Sequence, residues 1–167
     1  MPEKVNNRPD WIWDLSSVDP SLATILMQTY DAQAAGALIL AAVGLRTALD
    51  RATEFLKIDP GLPLERKVEG LLNRGFIGET EAHVLATVAN AGNAAAHRGW
   101  SPDQTEFRTL LAALEQFITR AVINGKSVLD IAARIPSRHP RPGKILVKGA
   151  VEDGTVKGDA VSKTDNR

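Results

Sequence analysis

Between Leu38 and Leu56 the chain carries a pattern that a buried helix satisfies better than any other element. Leu38, Ala42, Leu45, Leu49, Ala52 and Leu56 follow at alternating steps of four and three, the spacing that lines one face of an α-helix. Ala41, Val43, Ala48 and Phe55 widen the stripe, so this helix is expected to lie centrally, covered on more than one side. It should stop at Asp59-Pro60-Gly61-Leu62-Pro63. Two prolines lack the backbone donors and the space a helix needs.

The rest of the chain must supply partners for that helix, and it reads as more helices. Asp19-Pro20-Ser21 looks like a start, with Asp19 as N-cap and Pro20 at the first helical position. A helix to about Tyr30 would carry Leu22, Ile25, Leu26 and Thr29 on one face. Another, over about Leu64 to Arg74, carries Leu64, Val68, Leu71 and Leu72, and Gly75 and Gly78 bracket the connector that follows it. A helix from about Glu79 to Ala96 should close on Gly99. Ser101-Pro102-Asp103-Gln104 reads as Ser cap, first-turn Pro and capping-box Gln. From it Phe107, Leu111, Leu114 and Phe117 would run on to a stop at Asn124-Gly125, with a short helix over 127–134 beyond. Leu38, Leu45, Leu49, Val88, Leu111 and Leu114 are expected to be buried together. At the N-terminus, Trp11 and Trp13 sit in an otherwise polar arm, and two indoles so close are expected to dock on the body.

Composition removes whole classes of chemistry. With no Cys and three His in 167 residues, disulfides, thiol nucleophiles and iron–sulfur clusters are excluded, and a His-rich metal site is not expected. No cofactor is expected. The sequence holds no G-x-x-x-x-G-K-[ST] and no zinc-ligand spacing. Twenty basic and twenty acidic residues give zero net charge, which argues against a whole-chain grip on nucleic acid or lipid. The start lacks the apolar core of a signal peptide, and the longest apolar stretch, Ala34 to Leu45, runs straight into Arg46 and Asp50. A cytoplasmic protein with no membrane partner is the expectation. Arg138, Arg141, Lys144 and Lys148, beside His139, form a basic window without acids, and Asp153-Gly154 is a hairpin-turn signal. The expected organisation is an N-terminal arm over 1–19, a helical domain over 20–135 and a disordered tail over 136–167.

The helix over 79–96 carries the one chemical clue. At 100° per residue, Glu79, His83, Asn90, Asn93 and His97 share a narrow stripe, with Ala86 and Ala94 filling its gaps. Val84, Leu85, Val88, Ala91 and Ala95 would face the core. Asn and His are mediocre helix formers, and Asn93 and His97, four apart, can hold one ligand together. The bland alternative is that Asn bonds backbone and His in the last turn meets the helix dipole. Gly92 and Ala94 to Ala96 would let another helix approach closely, in the same chain or in a second copy. Arg46 and Asp50, also four apart, either pair with each other or orient Asn93 and His97.

Three blocks, GLRTALDRA, LERKVEGLLNRGFI and VANAGNAAAH, together resemble a bacterial domain-of-unknown-function family of the HEPN-like group. That family shows an R-x-x-L-E-like motif, then an L-x-x-K-I-like helix, then G-N-x-x-x-H. The matching positions are Arg46, Leu49 and Asp50; Leu64, Lys67 and Val68; and Gly92, Asn93 and His97, within a similarity over about 20–124. The resemblance implies an all-α bundle, often dimeric, found alone or beside nuclease, helicase or restriction modules. Catalytic HEPN ribonucleases resemble R-x-x-x-x-H, whose Arg stabilises charge on the scissile phosphate while His moves protons for the 2′-hydroxyl. Here Gly92 stands where that Arg belongs, with Arg46 from the neighbouring helix or Arg98 as the cation that could substitute in space, and Asp50 replaces a longer Glu.

The expectation is therefore an all-α, compact five- or six-helix HEPN-like bundle with a disordered C-terminal tail. It would act as a non-catalytic binding or interaction module, associated with RNA, a nucleotide or a partner protein in a defence or toxin–antitoxin setting, and would pair as a homodimer. Asn90, Asn93, His97, Arg46 and Asp50 are the binding candidates. The alternative is a metal-independent endoribonuclease with His97 as its catalytic residue.

Overall fold

A computed structural model describes residues 8–137. The chain divides into two units, Met1–Ile135 and Pro136–Arg167. The basic window, the Asp153-Gly154 turn and the expected disorder of the tail fall outside the described residues, apart from 136 and 137. Seven α-helices and one π-helical segment make up the described part, with no strand among the described residues. They are α1 (Trp11–Val18), α2 (Pro20–Ala34), α3 (Leu38–Phe55), α4 (Leu64–Asn73), α5 (Glu79–Arg98), α6 (Gln104–Phe117), the π segment Ile118–Asn124, and α7 (Gly125–Ala132).

The central stripe does what its spacing requires. On α3, Leu45, Ala48, Leu49 and Ala52 are fully buried, and the helix packs most extensively on α5 and α2. Leu45, Leu49, Val88, Leu111 and Leu114 share one core cluster, whereas Leu38, at the first turn of α3, is half-buried and packs on its edge. Complete burial of side chains such as these gives about 1.5–3 kcal/mol each. Asp19 caps α2 as expected, accepting from the Ser21 and Leu22 amides at 3.1 and 3.3 Å. It is itself buried and held by Arg51 at 2.9 and 3.1 Å. Bidentate pairing offsets the cost of taking that carboxylate out of water.

Several details differ from the sequence expectation. The arm is a helix that belongs to the core: Ile12 and Leu15 dock it and Trp11 packs against the same cluster as expected, while Trp13 stays 62% exposed. One face of a two-turn helix can be buried, and Trp13 lies on the other. α2 runs on to Ala34, and Gly36, at φ 72°, turns the chain into α3. α6 is capped by Asp103, not Ser101. Asp103 accepts from the Thr105 and Glu106 amides, and the Glu106 carboxylate accepts from the Asp103 amide. An Asp–Glu pair spaced by three completes the reciprocal box that Ser101 and Gln104 would have made.

Asn124-Gly125 does not end the helical run. The chain passes through the π segment directly into α7, because Ile118 and Val122 are buried there. Four residues apart, both lie on one face of the segment. Arg120 projects from the opposite side, donating to the Phe76 carbonyl at 2.9 Å and to both Glu81 oxygens at 2.7 Å. α7 leaves Val128, Leu129 and Ile131 exposed.

Candidate functional site

The α3–α5 crossing is built around the absence of a side chain. A Cβ on Gly92 would lie 2.3 Å from Arg46 Cβ and 2.8 Å from the Ala42 carbonyl oxygen. Only glycine lets α5 approach α3 this closely, and the stem of Arg46 closes over the vacant position. Gly92, Ala94 and Ala95 are all buried within the one chain. An intrachain contact therefore uses the small residues of this run that could have served either purpose. Among them Ala96 is exposed.

The two helices run in opposite directions. Arg74 donates to the Leu56 and Lys57 carbonyls at 3.2 and 2.7 Å, which fixes the C-terminal end of α3 beside the connector that precedes α5. Gly92, fourteen residues into α5, then faces Ala42 and Arg46 in the first half of α3. Arg46 is thus level with Gly92 and Asn93. Asp50 lies one turn away in one direction and His97 more than one turn away in the other. At 1.5 Å per residue those offsets total about 13 Å along the axes, so Asp50 and His97 do not share a small site.

Asp50 instead holds Lys67. The Lys67 ammonium, its side chain 3% exposed, donates to Asp50 at 2.6 Å and lies 3.6 Å from Glu54. Arg46 and Asp50 make no ion pair with each other, although their four-residue spacing allowed one. The three resemblance blocks thus meet in space: Leu49, Leu64 and Val68 enter one core, Asp50 pairs with Lys67, and Arg46 covers Gly92.

Along the α5 stripe, Glu79, His83, Asn90 and His97 are exposed and Asn93 is half-buried. Opposite them Leu85, Val88 and Ala95 are buried as expected, but Val84 is 40% exposed and Ala91 half-buried. The buried face is centred on Leu85, Val88, Ala89 and Gly92, turned toward Ala89 because the close crossing is at Gly92. Asn90 accepts from the Arg98 guanidinium at 2.8 Å, an exposed contact along the same helix. Gly99, at φ 66°, closes the helix, and the Trp100 amide donates to the Ala94 carbonyl at 3.2 Å. His97 and Arg98 therefore sit in the last turn, at the negative end of the dipole.

Arg46, Asn93 and His97 make no side-chain hydrogen bond or ion pair among the described residues, so all three remain available to a ligand. Arg46 is half-buried, with its stem spent on packing and its guanidinium unpaired. No three His, Asp or Glu side chains converge as a metal site would among the described residues. None of the described helices is long and apolar enough to cross a membrane.

The family model described as a domain of unknown function (DUF4145) matches residues 27–138. The chain belongs to this family. No curated protein and no solved structure matches it. The DUF4145 region begins inside α2 and extends past α7, so the α3–α5 crossing, the Lys67–Asp50 pair and the whole α5 stripe lie within it. α1 precedes it. The capture of Lys67 by Asp50 and Glu54 was hidden in the sequence. Its one trace is a lysine at an apolar-stripe position between Leu64 and Leu71, with acids at 50 and 54 on the neighbouring helix.

Proposed function

We propose that this chain is a non-catalytic HEPN-like binding module whose recognition surface is the C-terminal half of α5 together with Arg46. The observation that carries this reading is the closed position at Gly92. Where the ribonuclease motif has an arginine projecting beside its histidine, this chain has a buried glycine sealed by the Arg46 stem. His97 can exchange a proton, but Arg98 beside it reaches back along α5 to Asn90, and the motif's own cation position, Gly92, supplies no charge to stabilise a pentavalent phosphate. A half-buried amide at Asn93, an exposed imidazole at His97 and an unpaired guanidinium at Arg46 suit an anion that also accepts hydrogen bonds. A phosphate in an RNA strand or a nucleotide has that chemistry.

The same crossing favours one second reading. Arg46 is level with Gly92 and Asn93, so a cation from α3 would stand in for the missing one, and His97 would serve a metal-independent endoribonuclease. A homodimer that brings two α5 stripes together would double either surface. Light scattering at about twice the 18.0 kDa chain mass supports that pairing, and a monomer at every concentration removes it.

Fluorescence anisotropy with a labelled single-stranded RNA oligonucleotide tests the binding surface. Binding should weaken with salt, and Arg46→Gln should flatten the dependence of log K on log salt by about 0.7, the loss of one phosphate contact. An unchanged slope in Arg46→Gln takes Arg46 out of the surface.

A further inference from the structure

A polar concavity lies between α2, α6 and the segment before α1, with no residue of α5 in its lining. It is an open groove of about 630 Å³ lined by Arg8, Tyr30, Gln33, Arg108, Leu111 and Glu115, among others. That volume falls within the range of about 300–1,000 Å³ that small-molecule sites occupy. Three of its polar groups are already committed. Arg8 donates to both oxygens of Asp31 at 2.7 and 2.8 Å, and the Tyr30 hydroxyl donates to Glu115 Oε1.

Three polar functions are not. Gln33 is 7% exposed, yet its side chain makes no hydrogen bond among the described residues. No side-chain nitrogen or oxygen there is both sealed from solvent and unbonded, so the Gln33 amide opens into the groove it lines. A largely buried amide without a protein partner is costly unless something else completes it. Arg108 is an exposed guanidinium with no ion pair among the described residues. Glu115 keeps its second oxygen free. Burial drives the Glu115 carboxyl up from its ordinary range, although the Tyr30 hydrogen bond pulls the other way.

Arg108 and Glu115 are seven residues apart on α6, two turns on one face, which separates their backbones by about 10 Å. Leu111 and Ala112 give the wall between them an apolar surface. We propose that this groove binds a small molecule with an anionic group at one end and an N–H donor edge at the other. The anion meets Arg108, the donor edge meets the free Glu115 oxygen, and the Gln33 amide completes the polar contacts. A nucleoside monophosphate and a short peptide both carry that pairing at this separation. An α-amino acid does not, because its two charges are too close. This site is independent of the α5 surface.

Isothermal calorimetry on the full chain tests it with guanosine 5′-monophosphate, whose base edge offers N–H donors, with triglycine, and with inorganic phosphate. Saturable binding is expected for the nucleotide or the tripeptide, and which one binds identifies the source of the chemistry. Phosphate alone should bind at least tenfold more weakly. Gln33→Leu and Arg108→Gln should each weaken binding by roughly tenfold or more, the scale of one lost charged or buried hydrogen bond. In the His97→Ala background, where the α5 surface is impaired, the binding that depends on Gln33 and Arg108 should persist, which separates this site from the α5 surface. Arg108 is exposed, so its variant reads out even if Gln33→Leu does not fold. The proposal is overturned if neither probe binds below about 1 mM, if phosphate binds as well as either, or if Arg108→Gln binds like wild type.

Discussion

Replacing Gly92 by Ala should separate the two helices that define the proposed site. In an unconstrained helix interior the change would stabilise by roughly 0.5–1 kcal/mol, because glycine loses more backbone freedom on folding. Here the new methyl would sit 2.3 Å from Arg46 Cβ and 2.8 Å from the Ala42 carbonyl oxygen. One obstacle is backbone and the other is the root of a side chain, so neither can swing aside. Relief requires α3 and α5 to move apart, and overpacking of this kind costs about 1–3 kcal/mol, occasionally more. Net destabilisation of about 1–2 kcal/mol is expected after the propensity gain is deducted. Gly70→Ala on α4 is the control, since its methyl would meet only Ile58 side-chain carbons at 3.3 and 3.4 Å. That variant should be near neutral or stabilised by up to about 1 kcal/mol. Urea denaturation followed by helical circular dichroism gives both values. A Gly92→Ala protein as stable as Gly70→Ala would refute the close crossing and the account of Arg46 as its cover.

The other structural expectations can be measured in the same way. Asp50→Asn should leave Lys67 with only Glu54 at 3.6 Å and cost about 1–3 kcal/mol, less than a fully buried pair because Asp50 is partly exposed. Arg66→Gln, which breaks an exposed pair, should leave the midpoint at the wild-type value in the same denaturation series. Leu45→Ala and Leu49→Ala should each cost about 2–5 kcal/mol, and melts that match wild type would place them outside the core. Tyr30 is the single tyrosine, and burial and Glu115 hold its phenol well above the ordinary range. Absorbance near tyrosinate wavelengths should therefore rise only with alkaline unfolding, and a titration near the usual 10.0 in the folded protein would contradict the contact. Glu115 has its carboxyl raised from 4.5 in the fold. The folded state then binds more protons than the unfolded one, and that stability is lost as pH rises through the folded value. Glu115→Gln should thus gain on wild type between pH 4 and pH 7 in thermal melts.

The bundle was legible because its signals are local and repetitive. The stripe on α3, the Asp19-Pro20 start and the Gly99 stop each follow from residues a few positions apart, and each stands where the spacing put it. Contacts between distant segments were not. Nothing around Trp13 shows that Ile12 and Leu15, one residue before it and two after, take the buried face. Asn124-Gly125 is a stop signal in isolation, overridden by Ile118 and Val122, which hold the preceding turn against the core. In the site, the polar α5 stripe was readable as a pattern, whereas the level of Arg46 and the departure of Asp50 toward Lys67 depend on how α3 and α5 run past each other. The groove at Gln33 lay beyond reach, because its groups come from three elements that share no motif.

The most direct test of the proposed function is to incubate wild type and His97→Ala with labelled RNA in EDTA, measuring cleavage and binding on the same samples. A non-catalytic module leaves the RNA intact in both, and His97→Ala binds it more weakly while melting like wild type. Metal-independent cleavage by wild type, abolished in His97→Ala, contradicts that reading and makes His97 a catalytic residue.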